Sequence, residues 1–378
     1  MRFVIDARYV RRRPSGIGAY VEALVDRLPG LAPDQAFRLW NHPERPRAGA
    51  APNVSHRVVK APADGPRTVF APGLLDRLRR DDVVHFPHSL LGWPIAAATV
   101  VTIHDLMWVE HPEWVESRAW LRRLRYPFYR HGMMIALRRA TRLVAVSQAT
   151  ADRIVALIPA TKERLVVIRH GVAPGFLPPA DWPAAEAQAA RLVGGDEPYF
   201  LVVGKNEPYK AHELALRAFA AGAAPQERLV LVQRTKRGRG LHRLARQLGV
   251  SHRVRWLPGL SQAELVTVYQ GARALLQPSL AEGFGMPALE AMACGCPVIA
   301  SDTPALAEVL GGAGQLAPMG SVPAAAAALG KLRDEGRRRE LRARGLERAR
   351  AFDWDEAAAA TLEVYREAGS AGPRGGWW

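Results

Sequence analysis

Residues 282–290 read Glu282-Gly283-Phe284-Gly285-Met286-Pro287-Ala288-Leu289-Glu290, two carboxylates eight positions apart around a Gly-x-Gly turn. Glycine lets the backbone come close to phosphate oxygens, and Pro287 suits the first turn of a helix, where its missing N–H is no loss. Cys294-Gly295 supplies a stop. The stretch therefore predicts a turn followed by a short helix whose amino end points back at that turn. Orphan N–H groups and the positive end of the helix dipole favour a phosphate anion there, while Glu282 and Glu290 can accept hydrogen bonds from hydroxyls. A diphosphate and a sugar fit such a segment; a solvated surface helix is the plainer alternative.

Outward from this segment, short Val- and Ile-rich runs alternate with helical patterns. In the first half the runs are Arg2 to Asp6, Val83 to Phe86, Thr99 to Ile103, Leu143 to Val146 and Leu165 to Ile168, with Ile17, Tyr20, Val21, Leu24, Val25 and Leu28 at helical spacing after the first. The second half repeats the scheme at Tyr199 to Val203, Leu229 to Val232, Val254 to Leu257, Ala272 to Gln277 and Pro297 to Ala300. Such runs predict buried parallel strands, hence an α/β fold of two doubly wound Rossmann-like domains facing a cleft. The expected boundaries are 1–175 for the first domain, a Pro- and Ala-rich linker at 176–197, 198–354 for the second, and a terminal helix at 355–370 packing back on the first. Ligands bind beyond the carboxyl ends of parallel strands, which places Asp6, His104-Asp105, Ser147 and Arg169-His170-Gly171 at the first domain's cleft edge. Ser147 has the setting of a helix N-cap rather than a nucleophile.

A chain of 378 residues is long for one core. It contains no run of about 18 apolar residues, and Met1 to Val10 has no signal-peptide pattern, so a cytoplasmic protein is expected. Cys294 and Cys296 are its two cysteines, expected to be reduced core thiols. The net charge of +16 is uneven: residues 1–180 hold 27 Lys/Arg against 15 Asp/Glu, a surplus of twelve. That asymmetry points to an anionic partner, a nucleic acid or a membrane surface, or else to arginine-rich coding bias. In Trp120-Leu-Arg-Arg-Leu-Arg-Tyr-Pro-Phe-Tyr-Arg-His131 and Leu74-Leu-Asp-Arg-Leu-Arg-Arg80, arginines alternate with apolar residues. The pattern suits peripheral attachment to the inner face of an anionic membrane, or ordinary helices packed on a sheet.

Cations for a diphosphate are available. The strand ending at Val203 runs into Gly204-Lys205-Asn-Glu-Pro-Tyr-Lys210, and Arg234 follows the next strand. Arg13-Pro-Ser-Gly16-Ile-Gly18 is a second glycine loop at a helix start, but the third glycine and the ribose-binding acid of a dinucleotide fingerprint are missing, which disfavours NAD. Asp81-Asp82 has no second carboxylate cluster, so no metal site is expected.

From Glu282 through Ala291-Met-Ala-Cys-Gly-Cys-Pro-Val-Ile-Ala-Ser-Asp302 the chain resembles the E-x7-E region of family 4 glycosyltransferases, retaining enzymes of the GT-B fold. The resemblance extends to the first glycine loop, the His104 strand end and the lysine loop, where Lys210 falls on the family lysine and Tyr209 stands where arginine is usual. Lys205 or Arg234 would restore that charge. What the resemblance implies is transfer of a glycosyl group with retention, without a protein nucleophile or a metal. Lys210 and Lys205 would stabilise the leaving diphosphate, Glu282 would hold the donor sugar, Glu290 the ribose, and His104, oriented by Asp105, the sugar near its reacting face. Gly16, Gly18, Arg234, Gly283, Phe284, Gly285 and Met286 would complete the donor site. Ile103-His-Asp-Leu-Met-Trp108 followed by His111-Pro-Glu-Trp114 looks like bacterial polysaccharide mannosyltransferases, which implies GDP-mannose and a lipid-linked glycan acceptor, as in lipopolysaccharide synthesis. The rivals are a phosphorylase or epimerase of the same shape, for which no motif is evident, and a basic nucleic-acid- or membrane-binding protein without transferase activity.

Overall fold

The computed structural model describes residues 1–12, 15–46, 51–116, 118–233 and 239–374. They form two compact units, Met1–Gly171 with Asp353–Trp378, and Val172–Phe352. The first unit holds a sheet of β1 (Arg2–Ala7), β2 (Ala36–Asn41), β3 (Val54–Val58), β4 (Asp82–Phe86), β5 (Ala98–Ile103), β6 (Arg142–Ala145) and β7 (Leu165–Val167) in the order β3-β2-β1-β4-β5-β6-β7. Every neighbouring pair is parallel. Nearly every residue of β1, β4 and β5 is buried, as expected of strands covered on both faces.

Helix α1 (Gly16–Val25) follows β1, its first turn capped by Ser15, whose hydroxyl accepts from Gly18 N at 3.1 Å. α2 (Pro66–Phe70) precedes β4, α3 (Ala119–Arg139) joins β5 to β6, and α4 (Gln148–Leu157) follows β6. The C-terminal helix Trp354–Ala371 belongs to this unit: Trp354, Ala358, Leu362, Val364 and Tyr365 share one core with Phe3, Ile5, Val21 and Leu24. Each fully buried aliphatic side chain there contributes about 1.5–3 kcal/mol. Gly171 lets the chain lie flush against this helix, since a Cβ would meet Trp354 N at 2.3 Å. Arg27–Asp355 (2.5 Å) and Arg142–Glu367 (3.1 Å) flank it.

The second unit holds β8 (Tyr199–Val203), β9 (Arg228–Val232), β10 (Val254–Leu257), β11 (Ala274–Gln277), β12 (Val298–Ser301) and β13 (Gln315–Ala317) in the order β10-β9-β8-β11-β12-β13, again all parallel. In both sheets the strand order reverses direction beside the first strand, between β1 and β4 and between β8 and β11. Ligand sites of doubly wound sheets form at these reversals.

Several sequence expectations change. β2, β3 and β13 were not legible. Arg38 interrupts β2's apolar run, and its guanidinium is neutralised by Asp76 at 2.6 Å; β3 is an edge strand with much of its surface exposed; β13 is three residues long. The segment read as linker contains α5 (Trp182–Val193), capped by Asp181 and ended by Gly194 in the left-handed region; its Ala185, Ala189 and Val193 are buried within the second unit. Leu74–Arg80 is not a helix beyond Leu74: Leu75 and Asp76 turn inward, and Asp76 accepts from Arg38 and Trp40. Cys294 and Cys296 are buried free thiols, Cys296 pushed up to about 12 by burial.

Candidate active site

Two clusters occupy the strand ends beside the two reversals. In the second unit, Gly204 (φ +135°) ends β8 and a turn of 3-10 helix, Pro208–Lys210, delivers Lys210. Lys210 Nζ donates to both oxygens of Glu282, at 2.7 and 2.9 Å. Glu282 Oε1 also accepts from Gln277 Nε2 (2.8 Å) at the end of β11 and from Ser279 Oγ (2.7 Å). The carboxylate and ammonium are both largely buried, so they form a desolvated pair in fixed register. The loops carrying them are tied by Leu280 N donating to Tyr209 O at 2.7 Å, and the Tyr209 ring lies 5.1 Å from the Lys210 ammonium. Beside them His212 bonds Gln233 (2.9 Å), and burial, aided by the Lys210 charge, lowers its imidazole to about 4.

Gly285 adopts φ +114° as the residue before α6 (Met286–Ala293), and a Cβ there would meet Leu306 at 2.8 Å. Gly283, Phe284 and Gly285 are buried, Phe284 against Phe352 at 5.8 Å, and Met286 is half-buried at the helix start. One turn on, Glu290 accepts from Tyr269 Oη at 3.1 Å. Burial and the Glu290 charge push the Tyr269 phenol well up, which keeps it a hydrogen-bond donor. Lys205 is exposed in the β8 loop, with no ion pair among the described residues; Arg234 lies outside the described residues.

In the first unit, the Asp6 carboxylate, at the carboxyl end of β1, is buried and accepts from Arg8 Nε (2.7 Å), Arg8 Nη2 (2.5 Å) and His88 (3.1 Å). Burial would raise its pKa, but the Arg8 guanidinium outweighs it and holds the group below the usual range. Asp6 is therefore a structural anion that fixes the loops after β1 and β4. His104, after β5, has Nε2 3.0 Å from the Pro87 carbonyl. A carbonyl can only accept, so Nε2 carries the proton and Nδ1 is left as an acceptor. Burial lowers this ring to about 4 against the opposing pull of Pro87 O, so it is neutral near pH 7. The Asp105 carboxylate accepts from Met107 N (3.0 Å), and it is Pro87 that sets the ring's tautomer. His170 stacks on His104 with centroids 5.5 Å apart, and Tyr20 sits edge-on to both. Ser147 caps α4, accepting from Thr150 N. Gly18 is needed for packing, since a Cβ would meet Tyr9 O at 2.5 Å, whereas Gly16 has open space.

The residues not anticipated are Gln277, Ser279, Tyr269 and Pro87. Each acts by holding another residue's charged or titratable group: Gln277 and Ser279 that of Glu282, Tyr269 that of Glu290 and Pro87 that of His104.

Comparison with known proteins follows the same division. Residues 14–176 match the model of Glycosyltransferase Family 4, and residues 184–351 that of Glycosyl transferases group 1. The chain belongs to the family 4 glycosyltransferases. It is 37% identical over 243 residues to a D-inositol 3-phosphate glycosyltransferase of Streptomyces bingchenggensis, covering 61% of this chain and 53% of that protein. It is 40% identical over 114 residues to the O-antigen chain mannosyltransferase B of Escherichia coli, 30% of each chain. The family 4 chain spans about half the length of the first sequence relatives it matches. Its fold is that of a sucrose-phosphate synthase from Thermosynechococcus elongatus, with a TM-score of 0.75 at 21% identity over 98% of this chain and 99% of that one. Among the described residues no group of three His, Cys, Asp or Glu is arranged to hold a metal ion, and no helix is long and apolar enough to cross a membrane.

Proposed function

We propose that this protein transfers a hexosyl group, with retention, from a nucleotide-diphospho-sugar to a glycan acceptor. The observation that carries the reading is the buried Lys210–Glu282 pair at the reversal between β8 and β11, just before a glycine turn and the amino end of α6. In this reading Lys210 neutralises charge on the departing diphosphate, and Gly283 to Met286 lie along it with the N–H groups of α6. Glu282 aims the ammonium, with its second role toward a donor-sugar hydroxyl. Glu290, positioned by Tyr269, accepts from the ribose, and His104 Nδ1 accepts from a sugar hydroxyl. A neutral imidazole with its proton committed to Pro87 is unsuited to be a general acid, consistent with a reaction in which the leaving diphosphate itself guides the acceptor hydroxyl. Lys205, Arg234, Gly16 and Gly18 are proposed as further donor contacts, and no metal is required. GDP-mannose is the proposed donor and a lipid-linked glycan the proposed acceptor, in line with the likeness to an O-antigen mannosyltransferase.

Thermal stability with a panel of nucleotides and nucleotide sugars tests this. A ligand at 100 times its dissociation constant adds about 2.7 kcal/mol. GDP and GDP-mannose are expected to stabilise the wild type, and Glu290→Ala to shrink the shift. Stabilisation by a UDP series alone would replace the donor; absence of any nucleotide effect would remove the reading.

A further inference from the structure

The amino-terminal part of α3 lies on the first unit without fully burying a side chain. From Ala119 to His131 none is fully buried: Phe128 and Tyr129 rest half-buried against the core, and fully buried positions begin at Gly132 and Met133. The outward stripe at helical spacing is Trp120, Arg123, Leu124, Pro127 and His131, all exposed, with Trp120 at 67% and Leu124 at 72%. Residues 118–139 contain seven arginines and no acid. Arg118 and Arg125 reach back to Glu116 at 2.9 and 3.6 Å, whereas Arg123 and Arg130 have no ion pair among the described residues. The apolar surface continues onto α2: Phe70, 54% exposed, packs on Phe128 and His131 at 5.9 and 5.7 Å.

Bulky apolar side chains left in water beside unneutralised cations are a poor surface for a freely dissolved protein. A polyphosphate strand would use the arginines and leave Trp120 and Leu124 in water. An anionic bilayer uses both, because an indole and a leucine enter the boundary between headgroups and acyl chains while guanidinium groups meet lipid phosphates. We propose that this face of α3, extended by Phe70, docks on an anionic lipid surface with Trp120 and Leu124 inserted. The inference deepens the lipid-linked acceptor reading above, but its physical basis is independent of the transfer chemistry.

Co-sedimentation of the full chain with phosphatidylcholine vesicles, with and without phosphatidylglycerol, tests it, using Trp120→Ser/Leu124→Ser and Arg123→Glu/Arg130→Glu. All four positions are off the core, so folding is expected to survive, and nucleotide stabilisation of the same samples reports separately on the donor site. The expected result is binding only with phosphatidylglycerol, weakened about tenfold or more by each pair. The proposal is overturned if the wild type stays in the supernatant. It is equally overturned if neither pair changes binding, or if the serine pair binds vesicles and mixed-sequence DNA as the wild type does, which marks a general polyanion surface.

Discussion

Lys210 and Glu282 are linked so closely that neither can be changed alone without stranding the other. Lys210→Ala leaves Glu282, among the described residues, with Gln277 and Ser279 as donors, whereas Ser279→Ala and Gln277→Leu keep both charges and loosen their geometry. A hydrogen bond to a charged group is worth about 1.5–3 kcal/mol. Ser279→Ala is therefore expected to lower kcat about tenfold or more with a smaller change in KM, and Lys210→Ala to lower kcat by about 10²–10³-fold, the usual cost of losing one transition-state donor. Steady-state kinetics with the donor found in the nucleotide panel check both. Equal kcat in Ser279→Ala and wild type would show that Glu282 needs no such support.

At the scale of elements, two joints are sensitive. Gly285 combines a positive φ with Leu306 in the way of a Cβ, so Gly285→Ala strains the turn that aims α6. The expected loss is about 1–3 kcal/mol in denaturant unfolding, together with weaker nucleotide binding. The C-terminal helix is joined to the sheet by a buried chain: Tyr365 Oη to His85 Nδ1 at 2.6 Å, His85 Nε2 to Thr102 at 2.8 Å, and Thr102 to Tyr20 Oη at 2.9 Å. Tyr365→Phe breaks that chain at one end and leaves a buried nitrogen unpaired, with an expected cost of about 1–3 kcal/mol and no effect on which nucleotide is bound. A midpoint shift in urea measures it, and an unchanged midpoint would mean the contact contributes nothing net.

For the whole molecule the consequential fact is that several histidines are buried neutral. Burial lowers His85 to about 3 and His104 and His212 to about 4, and carries His170 well below its ordinary value. In the unfolded chain each titrates near its ordinary value of about 6.5. Between those limits the unfolded state binds more protons, so stability rises with pH: it is fully present above about pH 6.5 and is lost as pH falls toward 4. The melting temperature is expected to drop steadily from pH 7 to pH 5, and the slope to be shallower in His212→Gln. A flat profile over that interval would contradict neutral burial of these rings.

What the chain determined unaided is the alternation of apolar strands with amphipathic helices, and with it two doubly wound sheets, because strand runs such as Tyr199 to Val203 and helical stripes such as Ile17 to Leu28 carry their periodicity locally. The Gly285 turn and the Ser147 cap were likewise visible, and Glu282, Glu290 and Lys210 stood out as candidates through their spacing and the family resemblance, although the local sequence equally allowed a solvated helix. Strand order, and so the placing of β1 beside β4 and β8 beside β11, was decided only by tertiary structure. The same is true of the pairing of Lys210 with Glu282 across 72 residues, the Pro87 bond that fixes His104's tautomer, and the His85–Tyr365 contact across 280. Edge strands such as β3 and the helix Trp182–Val193 also emerged only there, since weak local patterns are settled by which neighbour is available to bury them. Each of these depends on groups distant in sequence that meet only when the apolar faces pack, and no local pattern encodes which distant partner a polar group will find.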